Sequence, residues 1–92
     1  MPQIFKVGSY LIYFWIGEGE PLEPVHVHVA EGYPSANATK FWITKSGNCL
    51  LANNSSRIPE RKLRYIKDII EARHQEIEQK WFAYFQEIRY YC

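Results

Sequence analysis

The residues with the densest chemistry lie in Glu23-Pro24-Val25-His26-Val27-His28-Val29, where two histidines are threaded between three valines. Side chains on a strand alternate between faces, so His26 and His28 share one face and the valines the other. Val suits a pleated, half-buried surface, which makes a strand the natural reading. The imidazoles then stand roughly 7 Å apart, close enough to share a metal ion, an anion or a proton-transfer task.

Three chemistries compete for this pair. A His-x-His strand can aim both rings at one metal, but a catalytic zinc needs a third protein ligand. Glu23, Glu31 and His74 are the candidates, and none is placed by local sequence, so neither a metal nor a cofactor is expected. As catalytic residues without metal, His26 and His28 would act as acid and base, as in RNA cleavage, since imidazole titrates near neutral pH. The third reading has no reaction in it: two polar rings on a solvated sheet face, hydrogen-bonded locally or touching a partner.

Other residues add to the candidate surface. Lys40 and Trp42 share a face of a later strand, and with the two imidazoles they would line one shallow surface. Such a set can stack bases and hold phosphate, and it is also the composition of a protein–protein hot spot. Arg57, Arg61 and Arg64 belong to a basic run ending at Lys67, a possible phosphate track or a solvated helix face. The chain carries no Gly-rich phosphate loop, nucleophile elbow or Cys-centred triad.

The elements that must position these groups follow from periodicity. Gln3 to Val7 reads as a strand, Gly8-Ser9 as a turn, and Tyr10 to Ile16 as a second strand, bulky on both faces. Such a strand is covered twice, by its own helix and by something else, for which another subunit is a candidate. Gly17 to Pro24 is an acidic loop, the His strand ends at Ala30, Ala38 to Thr44 forms a fourth strand, and Cys49 to Ala52 a short edge strand.

From Pro59 the period changes. Leu63, Ile66, Ile70, His74, Ile77, Trp81, Tyr84, Phe85 and Ile88 fall on one stripe at helical spacing. An unbroken helix over residues 59–88 would be about 45 Å long, more than the roughly 30 Å span of a domain this size. A bend is expected at Arg73-His74-Gln75. The sum is a single α+β domain over residues 1–92, an antiparallel sheet of four to five strands (3–52) packed against a long or bent C-terminal helical segment (59–88).

Composition narrows the classes. An apolar fraction of 47% excludes a disordered chain, and a net charge of +1 gives no overall basic field for nucleic acid. The charge is uneven: residues 18–31 hold four acids and no Lys or Arg, whereas residues 57–67 hold five bases against Glu60. Cys49 and Cys92 have no metal or redox spacing and read as reduced thiols. With no signal-peptide pattern at the start and no apolar run long enough for a bilayer, a cytoplasmic protein without membrane contact is expected.

Several stretches together resemble a known family. Met1-Pro2-x-Ile4-Phe5, the aromatic second strand, Glu23-Pro24-Val25-His26-Val27-His28-Val29, Ala38-Thr39-Lys40-Phe41-Trp42-Ile43, Leu51-Ala52-Asn53-Asn54, Pro59 to Ile70 and Trp81-x-x-Tyr84-Phe85 look like the bacterial domain of unknown function 4160. Members are short stand-alone proteins, often encoded beside another small protein in the manner of toxin–antitoxin modules. The resemblance implies a small protein partner, with RNA as a further candidate, and brings no established activity. This chain runs on past Phe85 to Cys92, farther than the usual pattern. The expectation is a non-catalytic interaction module that pairs with a small protein or with itself. The alternative is a small ribonuclease or metal-dependent hydrolase using His26 and His28.

Overall fold

A computed structural model describes residues 3–16 and 22–92. Met1, Pro2 and residues 17–21, the larger part of the acidic loop, lie outside the described residues. Five strands, β1 (Gln3–Val7), β2 (Tyr10–Tyr13), β3 (His26–Glu31), β4 (Thr39–Ile43) and β5 (Cys49–Asn53), precede two helices, α1 (Glu60–Ala72) and α2 (His74–Phe85). The strands form one sheet in chain order, each antiparallel to the next, so β3 lies at its centre. The fold is α+β, as the switch from short strands to a helical period requires.

Alternation along the strands sorts the sheet into two faces. Val25, Val27 and Val29 pack with Ile12, Phe41 and Ile43 and with Ile66, Ile70, Ile77 and Trp81 of the helices. The opposite face carries a second cluster of Leu11, Tyr13, Ala30 and Ala38, with Trp15 packed against it. Within the chain itself this cluster gives β2 its second cover, with Leu11 and Tyr13 buried. The Tyr13 hydroxyl donates to the Ser35 carbonyl (2.9 Å) and accepts from the Ser35 N–H (3.0 Å), which pins the β3–β4 connection over the ring. β2 is shorter than its apolar run, because Phe14 leaves the ladder to pack against Trp81 and Phe85, at ring separations of 5.0 and 5.7 Å.

The helix bends at Arg73. Its N–H is shared between the carbonyls of Ile69 (3.0 Å) and Ile70 (3.2 Å), and its guanidinium lies 3.7 Å from the Phe5 ring centroid. The break fits the chain into extents of 33 × 26 × 20 Å. It costs one residue and keeps the stripe in phase, so Ile70 and Ile77 are both fully buried. α2 stops at Phe85, three residues short of the expected end. Gln86 adopts a left-handed conformation (φ 57°) and donates its N–H to the Phe82 carbonyl at 2.7 Å, closing the helix.

Beyond that cap the chain returns to the sheet. The Arg89 carbonyl accepts from the Val25 N–H (2.8 Å), the Cys92 carbonyl accepts from the Lys45 N–H (3.0 Å), and the Tyr90 hydroxyl donates to Glu78 (2.7 Å). Residues 86–92 are thus a strap, which the stripe alone does not foretell.

His74 follows the bend and serves it. Its Nδ1 is 2.9 Å from Glu78 Oε1, and its other ring edge abuts Gly47 in the β4–β5 turn. Gly47 has φ +89°, and a Cβ there would stand 2.7 Å from His74 Nε2. Two consequences are measurable by denaturant titration. Ile70→Ala and Ile77→Ala each lower stability by about 2–5 kcal/mol, the cost of a core cavity. Gly47→Ala is destabilising, by about 1–3 kcal/mol for backbone strain together with the clash. Placing it in a His74→Ala background removes the clash and recovers part of the difference.

Candidate functional site

The register sets the site. His26 lies directly opposite Trp42, His28 lies between Tyr13 and Lys40, and Trp42 lies opposite Leu50. His26, His28, Lys40 and Trp42 therefore share the sheet face that carries Leu11 and Tyr13, as the alternation predicts. The imidazoles do not line a solvated surface, however. His26 is 2% exposed and His28 9%, because neighbouring rings close over them. The two imidazole centroids are 5.1 Å apart at 87°, nearer than ideal strand spacing. His26 also meets the Trp42 ring at 5.6 Å and the Trp81 ring, reaching round from α2, at 5.2 Å, while His28 lies 5.6 Å from Tyr13.

Pro24 fixes the tautomer of His26. The Pro24 carbonyl is 2.9 Å from His26 Nδ1, and a carbonyl can only accept, so Nδ1 carries the proton. Nε2 is then a buried lone pair with no hydrogen-bond partner among the described residues. Burial pushes the pKa of His26 down, against the opposing effect of the Pro24 carbonyl. His28 is pushed down to about 4, by burial first, then by the repulsion it would meet from a protonated His26 and from the Lys40 ammonium. Both rings are neutral at pH 7.

That electrostatic state bears on the chemistry. A general acid must be protonated, and a pKa of about 4 leaves about one imidazolium in a thousand at pH 7. Neutral imidazoles suit a metal better, but among the described residues no three His, Cys, Asp or Glu side chains are grouped to hold an ion. Glu23 is engaged elsewhere, accepting from Lys40 Nζ at 2.8 Å, which holds its carboxyl below the usual range. Glu31 closes the far end of β3 and accepts from Ser9 (2.8 Å), and His74 sits against Gly47.

The outer layer of the site is aromatic. Lys40 Nζ lies 4.1 Å from the Trp42 ring centroid, so one ammonium joins Glu23 to the indole. Tyr91 from the strap stacks on Trp42, with centroids 4.8 Å apart and planes 5° from parallel. Tyr91 is 60% exposed and Leu50, beside Trp42 on the edge strand, 44%. Tyr91 and Leu50 are the members that reading from sequence misses. Leu50 was within reach through strand alternation; Tyr91 lies beyond the helical stripe and is placed only by the strap.

The arginines are not part of this site. Arg61 and Arg64 are exposed on α1, where Arg64 pairs with Glu60 at 2.9 Å, and Arg57 lies in the loop before α1. Cys49 is buried with its thiol pushed up to about 12 by burial, and neither cysteine is bridged. No helix among the described residues is long and apolar enough to cross a membrane.

The sequence model of the family described as "Domain of unknown function (DUF4160)" matches residues 9–82, which include both histidines, Lys40 and Trp42 but neither β1 nor the strap. No curated protein and no solved structure matches the chain.

Desolvated imidazoles make stability depend on pH. The unfolded histidines titrate at 6.5 and the folded ones lower, so below 6.5 the unfolded state binds more protons and stability falls with falling pH. The contribution of His28 is present in full above pH 6.5 and lost by about pH 4, amounting to about 3 kcal/mol. Thermal melts between pH 7.5 and 4.5 are expected to show this decline, and His28→Asn is expected to flatten it.

Proposed function

Because the chain belongs to the family described as domain of unknown function 4160, we propose that it is a non-catalytic interaction module, one half of a toxin–antitoxin-like pair in the bacterial cytoplasm. Its docking surface is the sheet face built on His26, His28, Lys40 and Trp42 and extended by Leu50 and Tyr91. The occupant is the small protein encoded beside it, seated through an apolar or aromatic anchor on Trp42 and Tyr91. The observation that carries this reading is the state of the imidazoles: neutral, buried and packed as the floor of an aromatic surface whose outer residues are open. Stacked Trp and Tyr with a cation beside them form the composition that dominates interface energetics.

One observation favours the metal-dependent form of the hydrolase alternative. His26 Nε2 offers a buried lone pair, and a buried polar atom without a partner is costly. A metal on that atom would need ligands besides the described ones, or partner groups.

The experiment is an affinity measurement between the purified chain and the neighbouring gene's product. Trp42→Ala and Tyr91→Ala are each expected to weaken the complex by about thirtyfold, as for a central hot spot, with the fold retained by circular dichroism. Unchanged affinity in both variants would remove this face from the interface, and self-association in place of heteromeric binding would name a second copy as the occupant. One zinc per chain by metal analysis, lost in His26→Ala, would favour the hydrolase.

A further inference from the structure

The basic run near α1 contributes two residues to a cavity at the other end of β3. This cavity, about 500 Å³, lies between the end of β3, the β3–β4 connection and the loop before α1, and its lining includes Tyr10, Glu31, Tyr33, Asn37, Arg57 and Lys62. That size is ordinary for a small-molecule site. It is separated from His26 by the length of β3, about 17 Å.

Its charges are uncommitted. Arg57 and Lys62 make no ion pair among the described residues, whereas Arg64, Lys67, Arg73 and Arg89 each pair with a glutamate. Lys62 Nζ lies 6.0 Å from the Tyr10 ring centroid, a loose contact that leaves the ammonium available. The one carboxylate in the lining, Glu31, is occupied by Ser9. Two cations against one acid give the cavity a positive excess.

The backbone at Arg57 gives an independent signal. Arg57 has φ 54°, a left-handed conformation that glycine or asparagine adopts at less cost. The loop enforces it. Asn54 Oδ1 accepts from Thr39 Oγ1 (2.7 Å) and from the Ile58 N–H (3.0 Å), Asn54 Nδ2 donates to the Ile58 carbonyl (3.0 Å), and Ser56 Oγ donates to the Val29 carbonyl (3.1 Å). A turn of this shape alone would be better served by glycine. An arginine in a strained, pinned loop at a cavity wall points to a task for the guanidinium.

Aromatic and amide groups complete the lining. Tyr33 is 74% exposed, so its ring is open to a planar partner, and the Asn37 carboxamide makes no hydrogen bond among the described residues. A guanidinium and an ammonium for an anion, a ring for stacking and an amide for a base edge are the elements of nucleotide recognition. We propose that this cavity binds a phosphorylated nucleoside, with phosphate on Arg57 and Lys62, the base on Tyr33 and its edge on Asn37.

The ligand could be a free mononucleotide or one nucleotide of a single strand, and the test separates the two. The full chain is titrated by calorimetry with the four ribonucleoside monophosphates and with inorganic phosphate. It is also titrated by fluorescence anisotropy with a short labelled single-stranded RNA. Arg57→Gly, Lys62→Ala and Tyr33→Ala are then compared with wild type. Arg57→Gly removes the charge and relieves the backbone, so it is expected to melt no lower than wild type while binding about tenfold more weakly. Lys62→Ala and Tyr33→Ala are expected to weaken binding by a similar factor. Tightest binding by a monophosphate assigns a free nucleotide, and tightest binding by the oligomer assigns a strand; either upholds the proposal. It is overturned if no nucleotide probe saturates wild type by about 1 mM. It is equally overturned if Arg57→Gly and Lys62→Ala bind as wild type does, or if inorganic phosphate binds as tightly as every nucleotide.

Discussion

The rest of the structure depends on β3 being the central strand of the sheet with both of its faces covered. Its valines meet the helices and its histidines meet a second layer of rings, so the valines are shut off from water and the histidines nearly so. An apolar residue loses nothing by such burial, but an imidazole must give up its charge or find a counter-charge. His26 and His28 give it up. The Pro24 carbonyl fixes one tautomer, and Lys40 turns its ammonium to Glu23 and the Trp42 ring. The chemical character of the face is thus a product of packing: what a free imidazole pair could do at neutral pH is altered once the strand becomes central.

Much of the fold was legible because it rests on local periodicity. Alternation in β3 assigned its two faces correctly, and the apolar stripe placed Ile66, Ile70, Ile77 and Trp81 in the core. Chain length against domain size required a bend, and the polar stretch Arg73-His74-Gln75 placed it within three residues; it falls at Arg73, between α1 and α2. The burial of the imidazoles was not legible, because it depends on Trp81, fifty-five residues farther along the chain, and on Trp42 across the ladder. Nor was the strap, whose contacts are backbone hydrogen bonds that any sequence could make. The site residues named from sequence divided accordingly. Those on paired strands came together, while Arg57 lies in the loop before α1 and Arg61 and Arg64 are exposed on α1, outside the histidine face.

The two ends of β3 have opposite characters. At the His26 end, cation and carboxylate are matched and the surface is aromatic, suited to exclude water against another flat surface. At the Glu31 end the sheet opens into a concave space with cations in excess and a strained loop at its wall. One strand of six residues therefore separates a face shaped for a macromolecule from a cavity sized for a small ligand.

Finally, the strand order of the sheet is the order of the chain. Each strand pairs with its immediate successor, and the longest connection to be closed is the twelve residues between β2 and β3; because closure entropy grows only slowly with loop length, its cost stays modest at each step. Low separation between contacting segments favours rapid folding. The exception is the strap, which joins the last residues to the Val25 backbone and to Lys45 and forms the longest-range tie at that end of the sheet. The meander can therefore assemble in sequence as the chain emerges, with the aromatic surface completed only when residues 86–92 dock and bring Tyr91 onto Trp42.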